Sequence, residues 1–118
     1  MTWGIVAVVI VAGIGGYVWY QNQPGPYDAF ARCIADSGAK FYGAFWCPHC
    51  QDQKKMFGQS ARLLPYVECS TPNGQGTTIV CTQKNVTQYP TWEFANGERQ
   101  VGTMTFDELA TKTNCSVN

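Results

Sequence analysis

The chain has 118 residues, 8 Lys and Arg against 8 Asp and Glu, a net charge of zero, and 45% hydrophobic residues. Its basic residues stand singly or in pairs among acids, which excludes the cationic patch that nucleic-acid binding needs. The length allows one small domain beside one apolar segment, too little for a two-domain enzyme with a cofactor cleft, so no cofactor is expected.

The apolar segment comes first. From Trp3 to Tyr20 the chain carries no charge, and as a helix this run would reach roughly 27 Å, enough to cross a bilayer. Trp3 at one end and Tyr17, Trp19 and Tyr20 at the other stand where interfacial aromatics sit. Residues 1–20 therefore read as a single-pass transmembrane anchor. The alternative is a cleavable signal peptide, for which Gly13-Ile14-Gly15 offers a small-residue cleavage site, though no Lys or Arg precedes the apolar run. Residues 21–27 form a linker in which Pro24 and Pro26 stop a helix, and the soluble domain takes residues 28–118. Charge does not orient the anchor, since neither flank holds Lys or Arg before Arg32. Cysteine does: Cys33, Cys47, Cys50, Cys69, Cys81 and Cys115 all follow the anchor. So many, in even number, suit an oxidising compartment, a periplasm or lumen outside the cytoplasm.

Asp28 is expected to cap a first helix whose Phe30, Cys33 and Ile34 share a face, ending at Gly38. Lys40 to Trp46 reads as a buried strand, Cys47 to Leu64 as a helix interrupted near Gly58 and stopped by Pro65, and Tyr66 to Cys69 as a second strand. Ser70 to Thr77 is a loop by composition, followed by a short helix around Thr78 to Asn85. Thr91 to Phe94 and Arg99 to Thr103 flank Asn96-Gly97, a hairpin signal. Thr105 with Glu108 is a capping box opening a last helix. The predicted order is α-β-α-β-α-β-β-α, an α/β domain with one parallel pair joined by a crossover and a closing antiparallel hairpin.

Trp46-Cys47-Pro48-His49-Cys50 falls where a strand hands over to a helix. Backbone N–H groups at a helix start lack intrahelical acceptors and the dipole there is positive, so a Cys47 thiolate is favoured. Pro48 fits the first turn, where its missing N–H costs no helix bond. His49 can place a charge or a donor beside the sulfur, and Cys50, one turn on, is within reach of Cys47 for a disulfide. These are the requirements of thiol-disulfide exchange: a thiolate attacks a disulfide, a mixed disulfide forms, and the neighbouring thiol resolves it. Tyr89-Pro90-Thr91 opens a predicted strand, where a proline signals special geometry such as a cis bond.

On these residues, FWCPHC (Phe45 to Cys50), YPT (Tyr89 to Thr91) and the terminal Asn-Gly hairpin with its helix, the chain resembles the thioredoxin-fold oxidoreductases over roughly residues 28–113. The resemblance implies a thioredoxin-like fold in which Pro90 is a cis-proline facing the two cysteines and Tyr89 pairs with substrate backbone. GAFWCPHCQDQKKMFG (Gly43 to Gly58), LPYVEC (Leu64 to Cys69) and YPTWEF are similar to the thioredoxin-like domains fused to, or partnering, bacterial vitamin K epoxide reductase homologues. That similarity implies a domain that takes electrons from substrate protein thiols through Cys47 and Cys50 and passes them to a quinone-reducing membrane partner of that type. Phe41 stands where thioredoxin has a buried Asp, and Pro48-His49 replaces its Gly-Pro. The dipeptide implies the oxidising end of the family, whose members run from about −270 mV to about −120 mV, a span of about 7 kcal/mol for two electrons.

Cys69 and Cys81 bracket the Gly-rich loop. A structural bridge there, stabilising by about 3 kcal/mol on the chain-entropy estimate, is expected over a second exchange pair, since neither cysteine has a C-x-x-C partner. Cys33 and Cys115 remain as a further pair, against which the resemblance sets first and last helices on opposite sheet faces. His49 is the only histidine, which excludes a Ser-His-Asp hydrolase and a multi-His metal site. Trp46 reads as an aromatic beside the site, available to line a substrate groove. The alternatives are an extracytoplasmic disulfide reductant, and a metal-binding or disulfide-stabilised binding module in which Cys47, His49 and Cys50 need a further ligand; no metal is expected.

Overall fold

The computed structural model describes residues 2–21 and 23–117; residues 1, 22 and 118, which fall in the expected anchor, linker and domain, lie outside the described residues. It begins with a long helix, α1 (Thr2–Gln21), followed by α2 (Asp28–Asp36), β1 (Lys40–Gly43) and α3 (Pro48–Phe57). A 3-10 helix (Gly58–Leu63) leads to β2 (Tyr66–Glu68), α4 (Ile79–Gln83), β3 (Thr91–Glu93), β4 (Arg99–Val101) and α5 (Phe106–Thr113). After α1 the α and β elements follow the predicted order. Thr2–Tyr20 is long and apolar enough to cross a membrane, and none of it is buried against the rest of the chain, properties that a membrane span shares with a signal sequence.

The four strands form one sheet in the order β2-β1-β3-β4. β1 and β2 are parallel, with Phe41 opposite Tyr66, and α3 with the 3-10 helix makes the crossover. β3 runs antiparallel to β1, Trp92 opposite Phe41, and β4 pairs antiparallel with β3. Side chains alternate across a strand, so the sheet divides the interior in two. Phe41 and Trp92 stack with ring centroids 4.7 Å apart in the larger core, which Phe30, Ile34, Phe57, Met104 and Leu109 complete. Tyr42 points the other way, into a smaller core with Cys69, Cys81 and Val86.

The strand expected from Lys40 to Trp46 stops at Gly43. The N–H of Cys47 donates to the Ala44 carbonyl at 3.0 Å, a turn that lifts Phe45 and Trp46 to the surface. Asp28, expected to cap α2, is its first helical residue, with Tyr27 at the N-cap. Its carboxylate accepts from the Gly25 N–H, the Ser60 hydroxyl and both terminal nitrogens of Arg62, at 2.9 to 3.1 Å. A charged two-pronged donor outcompetes a neutral helix amide, and hydrogen bonding to Arg62 holds the carboxyl well below the usual carboxylate range.

Cys33 and Cys115 are joined as a disulfide. The opposition of first and last helices across the sheet is overturned: the Phe106 ring of α5 meets Tyr27 and Phe30 edge-on at 4.6 and 5.6 Å. Phe57 of α3 meets both Phe30 and Phe106, at 5.8 and 5.0 Å, so α2, α3 and α5 bury their aromatic side chains together on one face of the sheet.

Candidate active site

β1 ends in Gly43, and the Ala44–Trp46 turn delivers the chain to α3. Cys47 is the N-cap of that helix, with extended backbone, and Pro48 is the first residue inside it. The first helical bond runs from the Gln51 N–H to the Cys47 carbonyl at 3.1 Å, so the Cys47 sulfur stands at the end where the amides point outward. Its Sγ donates towards the Tyr89 carbonyl oxygen, 3.7 Å away. The Tyr89–Pro90 peptide bond is cis. The turn before α3 and the segment entering β3, 42 residues apart in sequence, thus meet at one sulfur atom.

Cys47 and Cys50 are free cysteines. Cys47 is 6% exposed and Cys50 1%. Cys47 is recessed under its rim rather than projecting from it, and Cys50 lies one helical turn beneath. Trp46 forms part of the rim. Its indole N–H donates to the Ser70 hydroxyl at 2.9 Å, and its ring meets Tyr89 edge-on at 6.0 Å. The His49 side chain is exposed, while its backbone carbonyl accepts from the Thr103 hydroxyl at 3.3 Å. Pro48 is exposed and Pro90 buried. The structure therefore gathers Trp46, Cys47, Cys50, Tyr89 and Pro90. Cys69 and Cys81 are bonded to each other, wholly buried in the smaller core. Among the described residues no group of three or more His, Cys, Asp or Glu is placed to hold a metal ion.

Besides Gly43, four side chains around Cys50 were not singled out in the sequence. Burial pushes the Cys50 thiol up to about 12, with a backbone hydrogen bond from Ala44 and the charge of Lys54 pulling the other way. Position 43 must be glycine, because a Cβ there would stand 2.8 Å from Tyr66 Cε2 and 3.0 Å from Cys50 Sγ. The Tyr66 ring edge and the Cys50 sulfur thus border the same space. The Tyr66 hydroxyl donates to Glu68 at 3.1 Å, and the Lys54 ammonium lies 3.5 Å over the Tyr66 ring centroid. Burial, then the negative charge of Glu68, pushes the ionisation of Tyr66 well up. The other Glu68 oxygen accepts from the N–H groups of Phe45 and Ser70 at 3.2 and 3.1 Å, tying the turn before Cys47 to the end of β2.

Gln53, fully buried, is the fourth. Its oxygen accepts from the Trp92 indole at 3.1 Å and the Met104 N–H at 2.7 Å, while its nitrogen donates to the Met104 carbonyl at 3.0 Å. One side chain thus clamps the helix carrying both cysteines to β3 and to the segment before α5. Helical spacing from Cys50 was a usable signal for Lys54; Tyr66, Glu68 and Gln53 needed the strand register and the helix rotation.

No family model matches the chain. It is 42% identical over 104 residues to thiol-disulfide oxidoreductase LTO1 of Arabidopsis thaliana, a similarity that takes in 83% of this chain and 27% of that protein. The chain thus spans about a quarter of the length of that relative. What the site itself defines is a mixed α/β domain with a vicinal dithiol at a strand-to-helix turn, one thiol under an aromatic rim and the other closed off behind it.

Proposed function

We propose that this chain is a thiol-disulfide oxidoreductase of thioredoxin-like fold, working through Cys47 and Cys50 and oxidising the thiols of substrate proteins. The observation that carries this is the dithiol at the start of α3 with the Cys47 sulfur 3.7 Å from the Tyr89 carbonyl, beside cis-Pro90. The similarity to a protein named for this activity supports it. In the oxidising direction a substrate thiolate attacks Cys47 Sγ of the Cys47–Cys50 disulfide. The new bond joins substrate to Cys47, and the electron pair of the broken S–S bond leaves on Cys50. A second substrate thiolate then attacks the substrate sulfur, the substrate departs as a disulfide, and Cys47 leaves as thiolate. Two electrons have moved from substrate to the Cys47–Cys50 pair.

In this reading residues 1–20 form a single membrane anchor, the linker runs to residue 27, and the domain from residue 28 faces a periplasm or lumen. The Cys33–Cys115 and Cys69–Cys81 bonds suit that oxidising compartment. The electrons pass on to a quinone-reducing membrane protein of the vitamin K epoxide reductase type, the partner that the similarity of Gly43–Gly58 and Leu64–Cys69 implies. Pro48 and His49 tune the Cys47 thiolate, and Tyr89, Pro90 and Trp46 line the substrate groove.

The test uses the full chain in its membrane. Oxidised protein mixed with a reduced dithiol peptide should lose its Cys47–Cys50 disulfide as the peptide gains one, mole for mole. With Cys50→Ala, substrate proteins should accumulate as mixed disulfides on Cys47, a multi-span quinone reductase among them. A peptide left reduced by the oxidised protein overturns the activity, and adducts confined to reductive-pathway proteins reverse the direction.

A further inference from the structure

The exchange chemistry above produces negative charge on Cys50 whichever way electrons flow, as the leaving group in oxidation and as the attacking atom in resolution. That sulfur is almost wholly closed off from water, so the charge must be met by the protein. The groups around it come from two elements and from the turn before α3, whose Ala44 backbone already hydrogen-bonds the Cys50 sulfur. On α3 they are Cys47 one turn back, His49 at the exposed helix start, and Lys54 one turn on; on β2 they are Tyr66 and, behind it, Glu68. The Glu68 carboxylate is already taken up by the Tyr66 hydroxyl and the amides of Phe45 and Ser70. Tyr66 keeps its proton, since burial and Glu68 both oppose its ionisation.

Lys54 is different. Four residues beyond Cys50 in the same helix, it shares that face, and its long stem would ordinarily carry the ammonium out to water. Instead the ammonium is held 3.5 Å over the Tyr66 ring. The edge of that ring and Cys50 Sγ both border the space that a Gly43 side chain would fill. The side chain is half-buried there.

We propose that Lys54, clamped on the Tyr66 ring, is the electrostatic partner of the Cys50 thiolate and speeds the step in which Cys50 attacks or leaves. The inference rests on the exchange reading above and adds to it the residue that meets the buried charge.

An aromatic disulfide reagent, 5,5′-dithiobis(2-nitrobenzoate), separates the steps on the reduced full chain. Cys47 thiolate attacks the reagent and releases one nitrothiolate. Cys50 then loses its proton to solvent and attacks Cys47 Sγ, closing the Cys47–Cys50 disulfide and releasing the second nitrothiolate. With Lys54→Met, which keeps the stem and removes the charge, the Cys50 thiolate population at neutral pH should fall about tenfold. Because a more basic thiolate is also the better nucleophile, the neutral-pH rate should fall about three- to fourfold rather than tenfold. The first phase should stay unchanged, and Lys54→Arg should restore the second. A second phase whose neutral-pH rate does not fall in Lys54→Met, or that Lys54→Arg leaves slow, overturns the proposal. If that variant fails to fold, Lys54→Gln, read in the same way, decides the matter. Should the unsubstituted protein release one equivalent only, the exchange reading itself fails, which is a distinct result.

Discussion

Cys47 and Cys69 both follow the ends of adjacent parallel strands, beyond the paired Gly43 and Glu68, yet their sulfurs have opposite fates. After β1 the chain turns away from the sheet for three residues and then starts a helix, so Cys47 lies at a helix N-terminus beneath an open rim. After β2 the chain stays in the sheet: the Cys69 N–H donates to the Gly43 carbonyl at 2.8 Å, and the side chain is sealed into the smaller core against Cys81. The difference teaches that cysteine chemistry here follows the backbone path of the few residues beside it. A turn and a helix start leave a free dithiol, whereas a continued ladder and a covering helix make a staple.

The sharpest break in this comparison is substitution of each sulfur in turn. Cys47→Ser should drop dithiol-peptide oxidation to background in a stopped-flow thiol assay, whereas Cys69→Ala with Cys81→Ala should retain the exchange rate at temperatures where the fold survives. Equal loss in both would erase the distinction. The two staples should differ in stability in turn. Removing Cys33–Cys115, with a sequence separation of 82, should cost about 4.5 kcal/mol on the chain-entropy estimate, against about 3 kcal/mol for Cys69–Cys81, with a separation of 12. Urea midpoints of the paired Ala variants read this directly.

Next comes Gln53→Leu. It leaves the Trp92 indole and both Met104 backbone groups without their partner in a dry interior, at about 1–3 kcal/mol for each group left unsatisfied. Because the clamp sets α3 against β3, the variant should lose exchange rate as well as stability. A variant that loses stability alone would show that the clamp does not position the dithiol.

The smallest effect is on pH. The reduced fold keeps the Cys50 proton up to about 12, while the unfolded chain gives it up near the ordinary 9.0. Above pH 9 the unfolded state therefore binds fewer protons than the folded one, and reduced-state stability falls as pH rises, by about 1.4 kcal/mol at pH 10. Reduced Cys50→Ala lacks that titration and keeps Cys47, so its stability difference from the unsubstituted reduced protein, followed by denaturant titration from pH 8 to 10, isolates it. Parallel curves would remove Cys50 as the cause.

Local signals carried a good part of this molecule. The order of helices and strands after α1 was readable because each boundary rests on neighbours in sequence: Pro65 after a helix, Asn96-Gly97 in a hairpin, Thr105 and Glu108 closing their box, both of whose hydrogen bonds form. The Cys47-Pro48-His49-Cys50 motif was readable because helix-start chemistry needs only four residues. The aromatic run from Lys40 to Trp46 misled, since strand propensity cannot tell Tyr42, inside the sheet, from Trp46, outside it. Asp28 misled for the complementary reason: its strongest donor, Arg62, is 34 residues away.

Local chemistry, then, the sequence determined by itself: an apolar helix-length segment, an α/β succession, and a dithiol at a helix start. Tertiary structure alone decided which face α5 covers, that Cys33 meets Cys115, that the Tyr89 carbonyl reaches Cys47, that Tyr66 and Glu68 lie beside α3, and that Gln53 clamps α3 to β3 and to Met104. The physical reason is range. Turns and caps are settled by hydrogen bonds a few residues apart, whereas these contacts join segments tens of residues apart, and only burying the shared aromatic layer brings those segments together.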